Sequence, residues 1–152
     1  MDADGSGAME RGASLGYGVN HLARLMEQAL RERIAGVGVV PGQFAQLLAL
    51  FEEEGVTQNE LCEKVRIDQS TMAHTLKRME RDGLIRRSAD PADGRRALIH
   101  LTERARGLRT ELYAAAGAVN DIATRGFSDT RRAEFNRSIR QAIGNLEAGR
   151  AT

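Results

Sequence analysis

Apolar residues recur every three or four positions along the first third of the chain, which is the period of one face of an α-helix. The first such stripe runs from Leu15 to Ile34, and two glycines follow it. Pro41 then suits the first turn of a second helix. Proline has no amide hydrogen, and the first amides of a helix have no hydrogen-bond partner within the helix. Gly55 closes that element. The pattern therefore predicts two amphipathic helices at the start of the fold.

Two shorter helices joined by a tight turn are predicted next. Thr57 and Glu60 form a capping box, in which each side chain satisfies a free backbone amide at a helix start. The helix that begins there runs only to about Arg66, after which Asp68 can cap a fourth helix from about Gln69 to Asp82. This spacing predicts a helix-turn-helix.

A β-hairpin and further helices complete the predicted fold. Residues 84–88 and 96–101 are predicted strands, and the turn between them contains the sequence DPADG. Apolar residues from Leu108 to Ile122 then follow a nearly heptad spacing, and Ser128 can cap a last helix. We therefore predict a mostly α fold in which a small β-hairpin follows the helix-turn-helix.

The composition agrees with one helical domain. The chain has 152 residues, of which 41% are hydrophobic and only 4% aromatic, with no Trp, and this favours aliphatic helix packing. The net charge of +1 is too small to indicate a nucleic-acid partner by itself. Residues 43–63 carry acids and no base, whereas residues 64–96 carry more bases than acids. On charge alone, that basic segment is equally well explained as solvated surface.

Other classes of protein find little support in the sequence. The single cysteine, Cys62, excludes an internal disulfide, and no apolar run is long enough to cross a bilayer, so we expect a cytoplasmic protein without a membrane partner. The three histidines are scattered, without metal-ligand spacing, a phosphate-binding loop or a nucleophile motif. We therefore predict no enzyme, no cofactor and no metal site. Residues 1–14 lack periodicity and are predicted to form a flexible arm, which leaves residues 15–152 as a single domain.

The fourth helix has an apolar face and a cationic face. Met72, Leu76 and Met79 cluster on one side, and the opposite side carries hydroxyl, imidazole and cationic groups. Polar groups near a helix start can pair with base edges in a major groove, and Lys and Arg neutralise phosphates. A polar outer face is also what any surface helix shows. We predict that the residues of this helix that contact DNA are Gln69, Ser70, Thr71, His74, Thr75, Lys77 and Arg78.

The hairpin tip places further arginines beside that helix. Arg95 and Arg96 follow the turn, and Arg86 lies on the first strand. An arginine on such a tip gains from the negative potential of a minor groove, and Asp93 can orient its guanidinium through a charge-assisted hydrogen bond. The alternative is a solvated turn in which an Asp–Arg pair contributes little. We predict that these four residues take part in DNA binding.

Two segments resemble the multiple antibiotic resistance regulator (MarR) family. TQNELCEKVRIDQSTMAHTLKRM resembles the helix-turn-helix of its members, and MERDGLIRRSADPADGRRALIHLT resembles the end of their recognition helix and their wing. The resemblance covers about Leu15 to Leu146 in element order. It implies a winged helix-turn-helix lobe over about residues 41–101 and dimerisation helices over about residues 15–36 and 102–148. It also implies a homodimeric transcription regulator that binds double-stranded DNA at a pseudo-palindromic operator.

The resemblance further implies roles for the wing residues. Asp93 and Arg95 occupy the Asp-x-Arg positions of the family's wing. Arg96 stands where many members have an acid. We therefore expect Arg96 to put the salt bridge within the wing at risk and to contact a phosphate instead.

Regulation by a small molecule is a further implication of the resemblance. Members commonly act as repressors, less often as activators, and release DNA when a small aromatic or phenolic anion binds between the dimerisation helices and the DNA-binding lobe. Tyr17, His21, Arg24 and Tyr113 could line such a cleft, although each is also explained as surface or interface packing. The alternative function is a winged-helix protein-interaction module without specific DNA binding.

Overall fold

The computed structural model describes residues 10–151, and these form seven α-helices and one two-stranded antiparallel sheet. Residues 1–9 of the predicted arm lie outside the described residues, and Arg11–Ala13 form a short 3-10 turn before the first helix. The predicted mostly α fold with a β-hairpin is confirmed. In chain order, its elements are α1 (Leu15–Ile34), α2 (Phe44–Glu52), α3 (Gln58–Val65), α4 (Gln69–Arg81), β1 (Ile85–Ala89), β2 (Ala97–Leu101), α5 (Glu103–Gly107), α6 (Arg109–Ala123) and α7 (Asp129–Arg150).

Local side-chain caps determine where the two helices of the helix-turn-helix begin. The predicted capping box is present: the Glu60 amide donates to Thr57 Oγ1 over 3.2 Å, and the Thr57 amide donates to Glu60 Oε2 over 3.0 Å. Asp68 caps α4 by accepting from the Thr71 amide. Arg66, with a φ of 62°, adopts the left-handed conformation that ends α3. The tight turn therefore follows from residues that lie within it.

The β-hairpin begins one residue later than the sequence pattern predicts. The Leu84 amide donates to the Met79 carbonyl oxygen over 2.9 Å, and the Gly83 amide donates to the Glu80 carbonyl oxygen over 3.1 Å, which together form a Schellman motif. Gly83 has a φ of 71°, which glycine adopts without strain. Leu84 therefore belongs to the end of α4, and strand pairing begins at Ile85.

The core lies where α2, α3, α4 and the hairpin meet. Ile85 stands opposite Leu101 in the sheet, and a backbone bridge between Val56 and Ile99 attaches the loop between α2 and α3 to its edge. Burial of these aliphatic side chains is the main stabilising contribution to the lobe. The largest fully buried hydrophobic residues are Ile34, Leu47, Leu50, Leu61, Met72, Leu76, Met79, Leu84, Ile99, Leu101 and Leu112.

The helices outside the lobe are arranged differently. The predicted heptad seam starts at Leu108, the residue between α5 and α6, and its other positions lie on α6, which packs along α1. Helix α7 follows a turn at Gly126, and within one chain none of the residues of α7 is buried. Among residues 10–151, no helix is long and apolar enough to span a membrane.

Candidate nucleic-acid interface

Helix α4 is anchored by its apolar face and by its first turn. The side chains of Met72, Leu76 and Met79 are fully buried in the core. Asp68 accepts hydrogen bonds of 2.8 Å from both the amide and the hydroxyl of Thr71. These hydrogen bonds hold the pKa of the Asp68 carboxyl below its usual range, so the cap is a carboxylate at neutral pH. The helix start is therefore preorganised, with the polar face turned outward.

The outer face of α4 carries the DNA-contacting residues predicted for this helix. All of them are exposed except Thr75, which is half-buried. Gln69 is held against α3, since its side chain is hydrogen-bonded to both Asn59 and Gln58. Ser70 and His74 form no hydrogen bond through their side chains within residues 10–151, so their polar groups are available to a ligand.

The wing tip presents Arg95 to solvent. Asp93 Oδ1 accepts from the Arg95 amide over 3.1 Å and lies 3.3 Å from Arg95 Nε, and Asp90 Oδ1 accepts from the Ala92 amide over 2.9 Å. The Arg95 side chain is nevertheless 93% exposed. Asp93 therefore orients the guanidinium without covering it, and the salt bridge within the wing is present although Arg96 follows.

Two other arginines of the hairpin are paired with acids of the helix-turn-helix. Arg96 lies 3.8 Å from Glu60 and 3.8 Å from Asp90, and Arg87 Nε lies 3.2 Å from Glu80 Oε2. The positive charge of Arg96 is thus partly neutralised by α3, a contact that the sequence pattern does not reveal because the partners are distant along the chain. Arg87 attaches the wing to α4 through this ion pair.

Of the cations on α4 and the wing, three form no ion pair in the part of the chain that the structure describes, and a fourth, Arg95, pairs only with Asp93 and stays 93% exposed. All four are exposed, two lie on α4 and two on the wing, and both elements belong to one packed lobe. Thr102 Oγ1 also donates to the Gly83 carbonyl oxygen over 2.7 Å, which fixes the end of the hairpin to the end of α4. The four cations therefore form one cationic surface on a rigid lobe. They are Lys77, Arg78, Arg86 and Arg95.

Comparison with known proteins identifies the family of this chain. The MarR family profile matches residues 40–97, which contain the helix-turn-helix and most of the wing. The regulator MgrA of Staphylococcus aureus is 31% identical over 101 residues, which cover 66% of this chain and 67% of that protein. The chain belongs to the MarR family of transcriptional regulators. The fold, the family and the class of DNA-binding regulator predicted from the sequence are thereby confirmed.

Other proteins similar to this MarR-family chain are transcriptional regulators as well. The transcriptional regulator TtmR of Methylorubrum extorquens is 33% identical over 100 residues, which cover 66% of this chain but only 51% of that protein, about half its length. The solved structure of the PcaV transcriptional regulator from Streptomyces coelicolor, in complex with its natural ligand, is 26% identical and has a TM-score of 0.81. That likeness covers 90% of this chain and 96% of the PcaV chain.

The MarR-family fold here contains a cleft between α1, α2 and α6. Its volume is about 500 Å³. One wall comes from the turn that leads into α2, where Pro41 and Gly42 lie, and the opposite wall comes from α6. Sequence reasoning missed this cleft because its apolar residues give the same signal as core residues. Its lining residues are Met26, Glu27, Leu30, Pro41, Gly42, Phe44, Ala45, Leu48, Ala116, Val119 and Asn120.

The residues predicted to bind an effector do not line this cleft and fall in separate places. Tyr17 stacks on His21 near the start of α1, with ring centroids 6.3 Å apart. Arg24 is exposed further along the same helix. Tyr113 of α6 packs edge-on against Phe51 of α2, with ring centroids 5.7 Å apart. The structure therefore brings the first two residues together and leaves Tyr113 with the lobe.

Cys62 takes no part in the interface. Its side chain is buried in α3, and burial raises the pKa of the thiol above its usual range. A buried thiol that stays protonated is a poor nucleophile and a poor metal ligand. Cys62 therefore acts as a small apolar side chain in the packing of α3.

Proposed function

We propose that this protein is a sequence-specific regulator that binds double-stranded DNA as a homodimer and represses transcription from a pseudo-palindromic operator. The observation that carries the proposal is the cationic surface of Lys77, Arg78, Arg86 and Arg95, which are all exposed and share one rigid lobe, and of which only Arg95 has an ion pair, with Asp93, within the described residues. Such a surface releases counterions from DNA when it neutralises phosphates.

The predicted contact residues divide into two groups by chemistry. Ser70, Thr71, His74 and Thr75, with Gln69 beside them, lie in the first turns of α4 and would meet base edges in a major groove. Lys77, Arg78, Arg86 and Arg96 would meet phosphates, and Arg95, oriented by Asp93, would enter the adjacent minor groove. Because Arg96 lies near Glu60, its contribution is smaller than that of Arg95.

A homodimer follows from the apolar surface outside the lobe. Leu15 and Leu25 on α1 and Ile139 and Leu146 on α7 are exposed in the single chain. A second copy would cover them, and the symmetric pair would place its two α4 helices about 34 Å apart, one turn of DNA. Binding two half-sites at once would then supply the affinity that one lobe lacks.

Small-molecule control is the second part of the proposal. The cleft between α1, α2 and α6 lies at the junction of the lobe and the outer helices, and the related PcaV regulator binds a natural ligand. We propose a small aromatic or phenolic anion as the effector, with a site that includes residues of the cleft. Tyr17, His21, Arg24 and Tyr113 remain predicted contributors. The protein would act in the cytoplasm, without a catalytic function or cofactor.

The test is selection of bound sequences from random duplex DNA by the purified protein. We expect a pseudo-palindrome whose half-sites lie one helical turn apart, because a symmetric dimer reads symmetric sites. His74→Ala should weaken operator binding about tenfold and relax the preference at one position of each half-site. Arg33→Ala, which removes an exposed charge from α1, is the control and should leave the preference unchanged.

The wing separates this function from the alternative, a protein-interaction module. Arg95→Glu should lower affinity for DNA by at least about tenfold and flatten its dependence on salt, because it removes one cationic contact and adds a repulsive charge. If no motif is recovered at low salt and Arg95→Glu leaves both quantities unchanged, the DNA-binding proposal is wrong and the alternative of a protein-interaction module is favoured.

A further inference from the structure

The far end of α4 is connected to the segment between α1 and α2. Gln43 Nε2 donates to Asp82 Oδ2 over 2.8 Å, while Gln43 Oε1 accepts from the Val40 amide over 3.2 Å. Gln43 is only 2% exposed, so the side chain that makes both contacts is buried. The hydrogen bond from Gln43, with a smaller contribution from Arg81, holds the pKa of Asp82 below its usual range. The contact between Gln43 and Asp82 is therefore a charge-assisted hydrogen bond at neutral pH.

A second connection reaches the same end of α4 from α5. Arg104 donates through one guanidinium nitrogen to the Asp82 carbonyl oxygen over 2.9 Å and through another to the Val37 carbonyl oxygen over 3.0 Å. A planar guanidinium can bridge two such acceptors, whereas a lysine ammonium group is a single point of donation. Gly38 has a φ of 76°, and a Cβ at that position would collide with the Arg104 guanidinium. The absence of a side chain at Gly38 is what admits the bridge.

The segment that holds α4 is also a wall of the cleft. Pro41 and Gly42 line the cleft, and Gln43 is the third residue of the same 3-10 turn. Phe44, which follows directly, lines the cleft as well. A displacement of this turn by a group in the cleft must therefore move Gln43, and with it the partner of Asp82. Adjacent residues of this segment contact the cleft and the end of α4, so no longer chain of contacts has to connect the two.

We propose that Gln43 and Arg104 are positioning residues that transmit the state of the cleft to the recognition helix α4. The inference rests on the proposed function, since it concerns how the same DNA-binding surface is controlled. With the cleft empty, the two residues hold the end of α4 in the orientation that fits the operator. An occupant that shifts the turn changes that orientation and weakens specific binding, while the phosphate-neutralising cations stay in place.

The first experiment compares affinity for the selected operator with affinity for an unrelated duplex. Arg104→Lys keeps the charge but loses the bridge, and Gln43→Met keeps the length of the side chain but loses both hydrogen bonds. Each variant should bind the operator about fivefold more weakly, as expected for one or two lost hydrogen bonds, and bind the unrelated duplex as wild type does. An equal loss on both duplexes would overturn the positioning role, because it would indicate general damage to the lobe. Arg33→Lys, the same substitution at an exposed position of α1, is the control.

Two glycines provide a second matched comparison. Gly38 and Gly83 both have positive φ, and alanine at either position is strained by about 1 kcal/mol. Only at Gly38 does the added methyl group also displace Arg104, since a Cβ at Gly83 meets nothing within 4 Å. Gly38→Ala should therefore weaken operator binding at least about fivefold more than Gly83→Ala does, at similar unfolding midpoints in urea. Equal effects of the two substitutions on operator binding would contradict the role of the bridge.

The decisive experiment fills the cleft without a ligand. Ala45 lies on the cleft wall and is exposed, so Ala45→Trp stands in for an occupant and also adds the only tryptophan to the chain. In the wild-type background, Ala45→Trp should weaken operator binding about fivefold. In the Gln43→Met/Arg104→Lys background, the same change should weaken it less than about twofold, because the connection is already cut.

The comparison of Ala45→Trp in the two backgrounds tests the coupling separately from DNA binding itself. Equal effects of Ala45→Trp in the two backgrounds, or no effect in the wild type, would overturn the coupling while leaving DNA binding intact. If the wild-type protein selects no operator at all, the proposed function itself has failed. The fluorescence of the new tryptophan should change when operator DNA binds to Ala45→Trp alone and not when it binds to the triple variant.

Discussion

The helix-turn-helix lobe and the last helix, α7, have the same hydrophobic spacing but opposite surroundings. Helix α3 has only eight residues, yet Leu61 and Cys62 are buried by the rest of the lobe. Helix α7 has 22 residues and buries none of them within one chain, and Leu146 is 76% exposed. A three-to-four residue period therefore predicts that a helix is amphipathic, but it does not say which surface covers the apolar face.

The contacts of α7 with its own chain include two ion pairs near its ends and an edge-on ring contact between Phe135 and Phe127. Arg132 pairs with Asp121 of α6 over 2.8 Å, and Glu147 pairs with Arg66 of the helix-turn-helix over 2.7 Å. The apolar positions between these ion pairs are exposed, including Ile139. Exposed ion pairs contribute little to stability. The lobe is therefore stabilised by its own core, whereas α7 has no buried residue within one chain and is proposed to be covered by a second copy.

The largest expected effect comes from truncating the lobe core. Leu76→Ala should lower the free energy of unfolding by about 3 kcal/mol, because the side chain is fully buried and the cavity cannot collapse completely. Leu146→Ala, the same substitution on α7, should change the unfolding of isolated chains by less than about 0.5 kcal/mol. Urea denaturation followed by circular dichroism measures both, at a protein concentration low enough for the chains to be monomeric. Equal costs at the two positions would contradict the contrast between lobe and α7.

The next largest effect concerns assembly. Ile139→Asp should dissociate the proposed dimer and weaken operator binding about a hundredfold, because a single lobe keeps only one half-site. Sedimentation velocity and fluorescence anisotropy measure the two quantities. Gln141→Asp adds the same charge to the other side of α7 and should leave the dimer intact. A variant Ile139→Asp that remains dimeric would remove the α7 surface from the interface.

Helix caps should show the same contrast on a smaller scale. Thr57→Ala removes the cap of α3 and should lower the free energy of unfolding by about 1 kcal/mol at any protein concentration. Ser128→Ala removes the equivalent cap of α7, where Ser128 Oγ accepts from the Arg131 amide over 3.1 Å. Its effect should depend on protein concentration, because α7 is proposed to be stabilised by a second copy. Thermal melts over a hundredfold range of concentration distinguish the two variants.

The smallest expected effect depends on pH. Glu54 Oε1 and Oε2 each accept from Arg106 over 2.8 Å, and Oε1 also accepts from the Leu101 amide over 2.8 Å. The hydrogen bond from Arg106 is the largest cause that lowers the pKa of Glu54 from its ordinary value of 4.5. The stabilisation is therefore fully present above about pH 4.5 and is lost as the pH falls through the lower folded-state pKa.

Replacement of that carboxylate tests the linkage. Glu54→Gln should be less stable than wild type at pH 7, and the difference should shrink as the pH falls below about 4.5, because wild type then loses the charged acceptor too. Urea titrations between pH 3 and pH 7 measure it, with Glu27→Gln on the exposed face of α1 as the control. A difference that stays constant over this range would show that Glu54 acts only through its shape.

Much of the lobe could be predicted from the sequence, because its signals are local. The capping box of Thr57 and Glu60, the cap at Asp68 and the end of the fourth helix near Asp82 each involve partners within a few residues. The outward position of His74 and Lys77 followed from the helix period once Leu76 was assigned to the core. The structure agrees with these predictions, while contact of the predicted residues with DNA stays a prediction.

The partners of the wing arginines could not be predicted in the same way. Arg95 and Arg96 are adjacent and identical in chemistry, and nothing in their spacing distinguishes them. Packing of the hairpin against α3 brings Arg96 near Glu60 and leaves Arg95 exposed. The cleft was missed for a similar reason, because leucine, phenylalanine and alanine give one signal whether they line a cavity or fill a core.

The sequence by itself determined the helix starts, the hairpin and the family, because those features depend on residues three or four positions apart and on turn chemistry. Only the tertiary structure decided which residues hold the segment between α1 and α2 to the rest of the lobe. Gln43 meets Asp82 across 39 positions and Arg104 meets Val37 across 67. Such contacts depend on how packed elements are oriented in space, and orientation is set by the shape of the whole core rather than by any local pattern.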